Sequence, residues 1–193
     1  MTNETAFFEA FVNIPHTVLG RRLQPLCLFH LLWLYLIQSP LIITNKETTL
    51  EDLEIAVLIC GSKNNSEVFR RINGKEQNGL QRIFHYFWRR RNRKRDFQSE
   101  LKKFIAYNDD YIALPKFLPK EDGEADEKIP WLLLHATSLI KATGWNEETV
   151  FQMPIGKVMW FNLALGFLAT GETRIMSDKE QRAVEALKAN MVL

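Results

Sequence analysis

The run Leu26-Cys27-Leu28-Phe29-His30-Leu31-Leu32-Trp33-Leu34-Tyr35-Leu36-Ile37 constrains the fold more than any other stretch of this chain. Wound into a helix it is apolar on almost every side, and such a helix needs burial on most of its faces. Either a membrane or a protein interior provides that. A spanning helix needs about 20 apolar residues, and here Gln38, Ser39 and Pro40 cut the run short. The stretch therefore predicts a core helix from Leu26 to Gln38, stopped by Pro40 because proline and the residue before it resist continued helix. Other segments must wrap it. They carry apolar residues at three- and four-residue spacing, with no convincing period-two strand and no internal repeat. With 13 Phe and 5 Trp there is ample apolar surface for a core. The expected fold is all-α: an irregular helical bundle, or two small helical subdomains bridged by a long basic helix.

Local signals place the other helices. Glu4 to Val12 predicts a short helix with Phe7, Phe8 and Phe11 on one side, and Asn13 to Pro25, punctuated by Pro15, Gly20 and Pro25, an ordered connector. Thr49 with Asp52 forms a near capping box for a helix carrying Leu50, Leu53, Val57 and Cys60, and Gly61 stands where a left-handed terminal residue is wanted. Turn signals at Asn64-Asn65, Asn73-Gly74 and Asn78-Gly79 leave room for a short helix from Ser66 to Ile72. A long helix is expected from Leu80 to about Ala106. Its first apolar stripe is Leu80, Ile83, Phe84 and Phe87, and its second Phe97, Leu101, Phe104 and Ile105. Further on, Pro130 opens a helix from Trp131 to Thr143 ended by Gly144. Asn146 caps a short acidic one to about Gln152, Pro154 opens another through Leu168, ending near Gly171, and Ser177 with Glu180 boxes a last one from Asp178 to Ala189.

Charge divides the chain. Between the two stripes of the long helix lie Arg89, Arg90, Arg91, Arg93, Lys94 and Arg95, and the segment Arg89 to Lys103 has a net charge of +6 while the remainder is −4. Residues 108–130 hold Pro115, Pro119, Pro130 and the acidic run 121–127, a composition that buries little surface. The expected organisation is an N-terminal helical region at 1–107, an acidic linker at 108–130 and a C-terminal helical region at 131–193. Two readings of the basic run compete. In one it is a solvated face, or pairs with the acidic run at 121–127. In the other, Arg89, Arg90, Arg91, Arg93, Lys94 and Arg95 track nucleic-acid phosphates, with Tyr86 and Trp88 available for stacking. The first is preferred, since no nucleic-acid fold signature accompanies a lone basic run.

Motifs for catalysis are missing. Gly156-Lys157 lacks the spacing of a phosphate-binding loop, and no zinc spacing or His-Glu-x-x-His occurs. The histidines His16, His30, His85 and His135 are scattered; His30 and His135 sit in apolar helices, where a hydrogen-bonded core histidine is the ordinary outcome. Cys27 and Cys60 lie in apolar runs and are expected as buried thiols. The N-terminus lacks the basic start and apolar core of a signal peptide. The expectation is a cytoplasmic, non-enzymatic protein with no cofactor, no metal and no membrane partner.

The helix from Pro154 is the other informative element, because Ile155, Met159, Leu163 and Phe167 form one stripe and Val158, Phe161, Leu165 and Leu168 a second. Two apolar sides suit a central helix or an interface. As an interface, Trp145, Met153, Ile155, Met159, Trp160, Leu163 and Phe167 are the candidate partner contacts.

Two segments carry a resemblance. Asn13-Ile14-Pro15-His16-Thr17-Val18-Leu19-Gly20-Arg21-Arg22-Leu23-Gln24-Pro25-Leu26-Cys27, leading to His30-Leu31-Leu32 and Ser39-Pro40, resembles small proteins encoded among phage and prophage tail genes. Gly144-Trp145-Asn146, followed by Val150-Phe151-Gln152-Met153-Pro154 and a helix, is similar to the C-terminal pattern of tail assembly chaperones. Together they cover about a third of the chain. The resemblance implies a non-enzymatic adaptor in the host cell cytoplasm that holds a tape measure protein in solution and helps tail tube subunits polymerise around it.

Overall fold

The structure, a computed structural model, describes residues 7, 10–12, 14–43, 47–73, 79–112, 130–171 and 180. It is mostly helical. A two-strand hairpin, β1 (Thr17–Val18) and β2 (Arg21–Arg22), precedes α1 (Leu28–Leu36), α2 (Leu50–Cys60), α3 (Asn65–Asn73), α4 (Gly79–Asn92), α5 (Phe97–Tyr111), α6 (Trp131–Thr143), α7 (Glu147–Phe151) and α8 (Ile155–Thr170). Phe7, Ala10 and Phe11 are helical too. The acidic run at 121–127, most of the expected linker and most of the expected C-terminal helix lie outside the described residues; Glu180 is helical.

Helix α1 departs from the expected burial on most faces: one side enters the core, while Leu32, Tyr35 and Leu36 are exposed. Leu28, Phe29, His30, Leu31 and Leu34 are buried. The four apolar ones share one core with Leu53, Val57 and Ile59 of α2, Phe104 and Tyr107 of α5, Leu132 and Leu139 of α6, and Ile155 and Val158 of α8. Burying each such side chain stabilises the fold by about 1.5–3 kcal/mol. The Ile155 N–H donates to the Leu26 carbonyl at 2.9 Å, beside a backbone bridge from Cys27 to Pro154. The core thus continues across the expected 108–130 boundary. Its first residues, Asn108 to Tyr111, are the last turn of α5, and Tyr111 is buried.

Local signals held at most helix ends. Thr49 Oγ1 accepts from the Asp52 N–H while Asp52 Oδ2 accepts from the Thr49 N–H at 2.9 Å. Asn146 Oδ1 accepts from the Thr149 N–H at 2.8 Å, and α6 and α8 end on left-handed Gly144 and Gly171. Gly61 departs from expectation: it is right-handed, φ −82°. The glycine answers crowding instead, since a Cβ there would stand 3.2 Å from Arg71 Nη1.

The single helix expected from Leu80 to Ala106 is two. The chain turns a corner after Asn92, whose side chain leaves the helix surface to donate to buried Glu54 Oε1 at 2.9 Å. Asp96 then starts α5 as its cap, accepting from the N–H groups of Gln98 and Ser99 at 3.2 and 3.3 Å. A capping aspartate satisfies N–H groups that an uninterrupted helix would bond internally.

At the hairpin apex Leu19 is buried while Gly20 is exposed, and a buried turn residue is unusual. Both central residues are left-handed, Leu19 at φ 51° and Gly20 at φ 73°, as hairpins of this length prefer. Left-handed leucine costs about 1–2 kcal/mol, and buried backbone groups need partners. Glu100 Oε2 accepts from the Leu19 N–H at 2.5 Å, and Trp88 Nε1 donates to the Leu19 carbonyl at 2.9 Å.

Candidate interaction surface

Helix α4 is packed inside out. Its apolar stripe Leu80, Ile83, Phe84 and Phe87, expected to pack, faces solvent with exposures of 69%, 53%, 72% and 60%. Its inward face is His85, Trp88 and Asn92. Polar tertiary partners select that face. Trp88 caps Leu19 and carries the Arg21 guanidinium 4.2 Å from its ring centroid, His85 stacks beside it at 5.6 Å, and Asn92 holds Glu54. One rotation of the helix cannot bury both faces, so the aliphatic side is left outside. Tyr86, also exposed, stands edge-on to Phe87 at 5.7 Å.

The basic run splits by the same geometry. Arg89 Nε lies 3.2 Å from Glu54 Oε2, and its Nη2 3.4 Å from Glu51 Oε1. Arg95 Nη1 lies 3.1 Å from Glu100 Oε1, where Lys103 Nζ joins at 2.8 Å. Burial alone would raise the Glu100 carboxyl, but hydrogen bonds from Lys103, the Leu19 N–H and Arg95 outweigh it and hold it below the usual range. These two arginines therefore serve the fold, and their acids come from α2 and α5. The other four, Arg90, Arg91, Arg93 and Lys94, are exposed and make no ion pair among the described residues. Arg90 and Arg91 continue the helix face begun by Ile83, Phe84 and Phe87, at the three- and four-residue steps that share a face.

Of the α8 candidates, Ile155 and Met159 are in the core and present nothing to a partner. Met153 packs partly buried against it. Trp160 meets Phe7 edge-on at 5.3 Å, and Trp145 meets Phe161 at 5.5 Å. Leu163 is half-buried, while Phe167 and its neighbour Leu168 are exposed. The stripe thus serves the core at its start and solvent at its end.

Compared with known proteins, the chain matches no family model, no curated protein and no solved structure.

The histidine and cysteine chemistry is structural where it is deepest. The Cys27 N–H donates to His30 Nδ1 at 3.1 Å, and His30 Nε2 donates to the Ser62 carbonyl at 2.9 Å. Burial lowers His30 to about 4, so the ring is neutral near pH 7. Burial pushes both the Cys27 and Cys60 thiols up to about 12, which makes them poor nucleophiles. His16 lies 2.9 Å from Asp110 and ties the connector to α5, as do Tyr107 and Tyr111, whose hydroxyls donate to the carbonyls of Gln24 and Ile14. Among the described residues no group of three His, Cys, Asp or Glu side chains is arranged to hold a metal, and no helix is long and apolar enough to cross a membrane.

The exposed α4 face is what sequence reasoning missed. Periodicity marks which residues share a face, not which face turns inward. The one available signal was that Trp88 and Asn92, which want hydrogen-bond partners when buried, lie off the aliphatic stripe.

Proposed function

We propose that this protein is a non-enzymatic helical adaptor that docks an amphipathic helix of a protein partner on α4. The observation that carries the reading is the outward stripe Leu80, Ile83, Phe84 and Phe87, an apolar face at helical spacing left uncovered by the fold. Apolar patches of this kind mark interaction sites on soluble proteins, and a stripe at these intervals suits a helix laid alongside. Arg90 and Arg91 at its end favour a partner with acidic residues beside its apolar ones, and would set orientation and encounter rate more than affinity. The resemblance of the 13–40 and 144–154 segments to tail assembly proteins supports a tape measure or tail tube protein as that partner.

A second reading has its own observation. Four cations that make no ion pair among the described residues, next to exposed Phe84, Tyr86 and Phe87, offer both charge and stacking surfaces to single-stranded nucleic acid. One experiment separates the two. Binding is measured to a tape measure protein and to labelled single and double strands, in salt from about 50 to 200 mM, where phosphate contacts lose orders of magnitude in affinity. The adaptor reading expects salt-tolerant capture of the protein, lost in Phe84→Asp/Phe87→Asp. Strand binding that collapses with salt, and with Arg90→Glu/Arg91→Glu, would replace it with the nucleic-acid reading.

A further inference from the structure

Behind the α4 face, where α3 and α4 meet the hairpin, a cleft of about 230 Å³ is lined by Arg21, Glu67, Arg70, Arg71, Phe84 and His85, among others. Three of its polar groups, Arg21, Arg70 and His85, are short of partners among the described residues. The Arg21 guanidinium rests on Trp88 and donates no hydrogen bond among the described residues. Arg70 is exposed and makes no ion pair there. His85 Nε2 is buried and has no hydrogen-bond partner among the described residues. Arg71 is the engaged member, paired with Glu67 at 2.5 Å and directed at the Leu58 carbonyl. Three arginines against one glutamate leave a net charge of +2 on a small concave surface.

The geometry points to a binding site for a phosphate monoester dianion, seated between Arg21, Arg70 and His85, with Arg71 fixed behind it by Glu67. A dianion matches the net charge. The volume suits one phosphate group with its substituent left outside, and Phe84, exposed at the mouth, offers that substituent an apolar surface. Guanidinium groups are the favoured partners of phosphate because their forked donors fit its oxygens. The cleft is also electrostatically costly. Burial lowers the Arg21 pKa and repulsion from Arg71 adds to it, against attraction to Glu54; burial likewise lowers His85, helped by Arg89 and Arg21. An anion here relieves both.

The test titrates the intact protein with inorganic phosphate, with a nucleoside monophosphate and with a single-stranded oligonucleotide, while the His85 ring resonances are followed by NMR at constant ionic strength. The expected result is saturable binding of the two monoester-type ligands with a rise in the His85 pKa. Arg70→Ser, at an exposed position that leaves the fold intact, weakens it by about tenfold or more, the loss of one charge-assisted contact. Lys141→Ser, an exposed site on α6 off the cleft, serves as the control and leaves it unchanged. Chloride at matched strength giving the same His85 response, or equal binding by the Arg70 and Lys141 variants, would overturn the site. Response to the oligonucleotide alone would also overturn it, in favour of phosphodiesters. None of these readouts depends on a protein partner, so the site and the adaptor reading fail separately.

Discussion

His30 shows how one buried residue sets the response to acid. Its ring links the start of α1 to the end of α2 and is neutral in the fold, with a pKa of about 4 against 6.5 for an exposed histidine. The unfolded chain therefore binds more protons between those values, and stability rises with pH across that window. Going the other way, stability is fully present above about pH 6.5 and falls toward pH 4, by on the order of 3 kcal/mol for a shift of this size. Urea midpoints measured from pH 7 to 4 check it, and an unchanged midpoint would remove His30 as the sensor. Glu100 acts lower. Its carboxyl is held below the usual range, so its contribution is present above 4.5 and is lost only as pH falls through the depressed value. Glu100→Gln removes the charged acceptor shared by Leu19, Arg95 and Lys103 and is expected to cost about 1–3 kcal/mol, read in the same titration. Gly20 belongs to the same site: at φ 73°, with Arg95 Nη2 2.8 Å from where a Cβ would stand, it admits no side chain without moving the arginine.

Helices α4 and α5 show how an element boundary arises from competition. A run of helix formers would continue through Arg93, Lys94 and Arg95, but Asn92 bonds to Glu54 and Asp96 offers its carboxylate to the next helix. Asp96→Ala removes the cap, with an expected loss of about 1 kcal/mol in thermal or urea unfolding; a variant as stable as the parent would show that the corner is held by Asn92 alone. The turn also separates the roles of the cations, with Arg89 and Arg95 directed inward and Arg90, Arg91, Arg93 and Lys94 outward. At the other end of the chain α8 begins in close contact. A Cβ on Gly156 would stand 2.8 Å from that of Ala10, so helical Ala10 lies tightly against it.

For the whole molecule, the apolar groups that hold the fold differ from those that are on offer. Leu34→Ala, in the shared core, is expected to cost about 2–5 kcal/mol. Phe84→Asp with Phe87→Asp, though it removes two large aromatics, is expected to stay within about 0.5 kcal/mol per site of the parent, because both already face water. Denaturant curves on the two variants separate the cases. A large loss from the α4 pair would mean that the stripe is covered in solution and would count against α4 as a docking face.

What the sequence determined by itself was local. The capping pairs Thr49/Asp52 and Asn146/Thr149, the proline that opens α8 and the glycines after α6 and α8 act over three or four residues, and each stands where its chemistry predicts. The nearly all-apolar α1 was expected to be buried on most faces, but only one side enters the core and Leu32, Tyr35 and Leu36 stay exposed. Tertiary structure decided the rest. Which way α4 faces depends on Leu19, 69 positions from Trp88, and on Glu54, 38 positions from Asn92. Where Arg89 and Arg95 point depends on acids of α2 and α5 that only folding brings near. The cleft of Arg21, Arg70 and His85 joins a hairpin to two helices. Periodicity reports neighbours along a helix, but the partners that choose between its faces are separated in sequence by distances that only the packed chain closes.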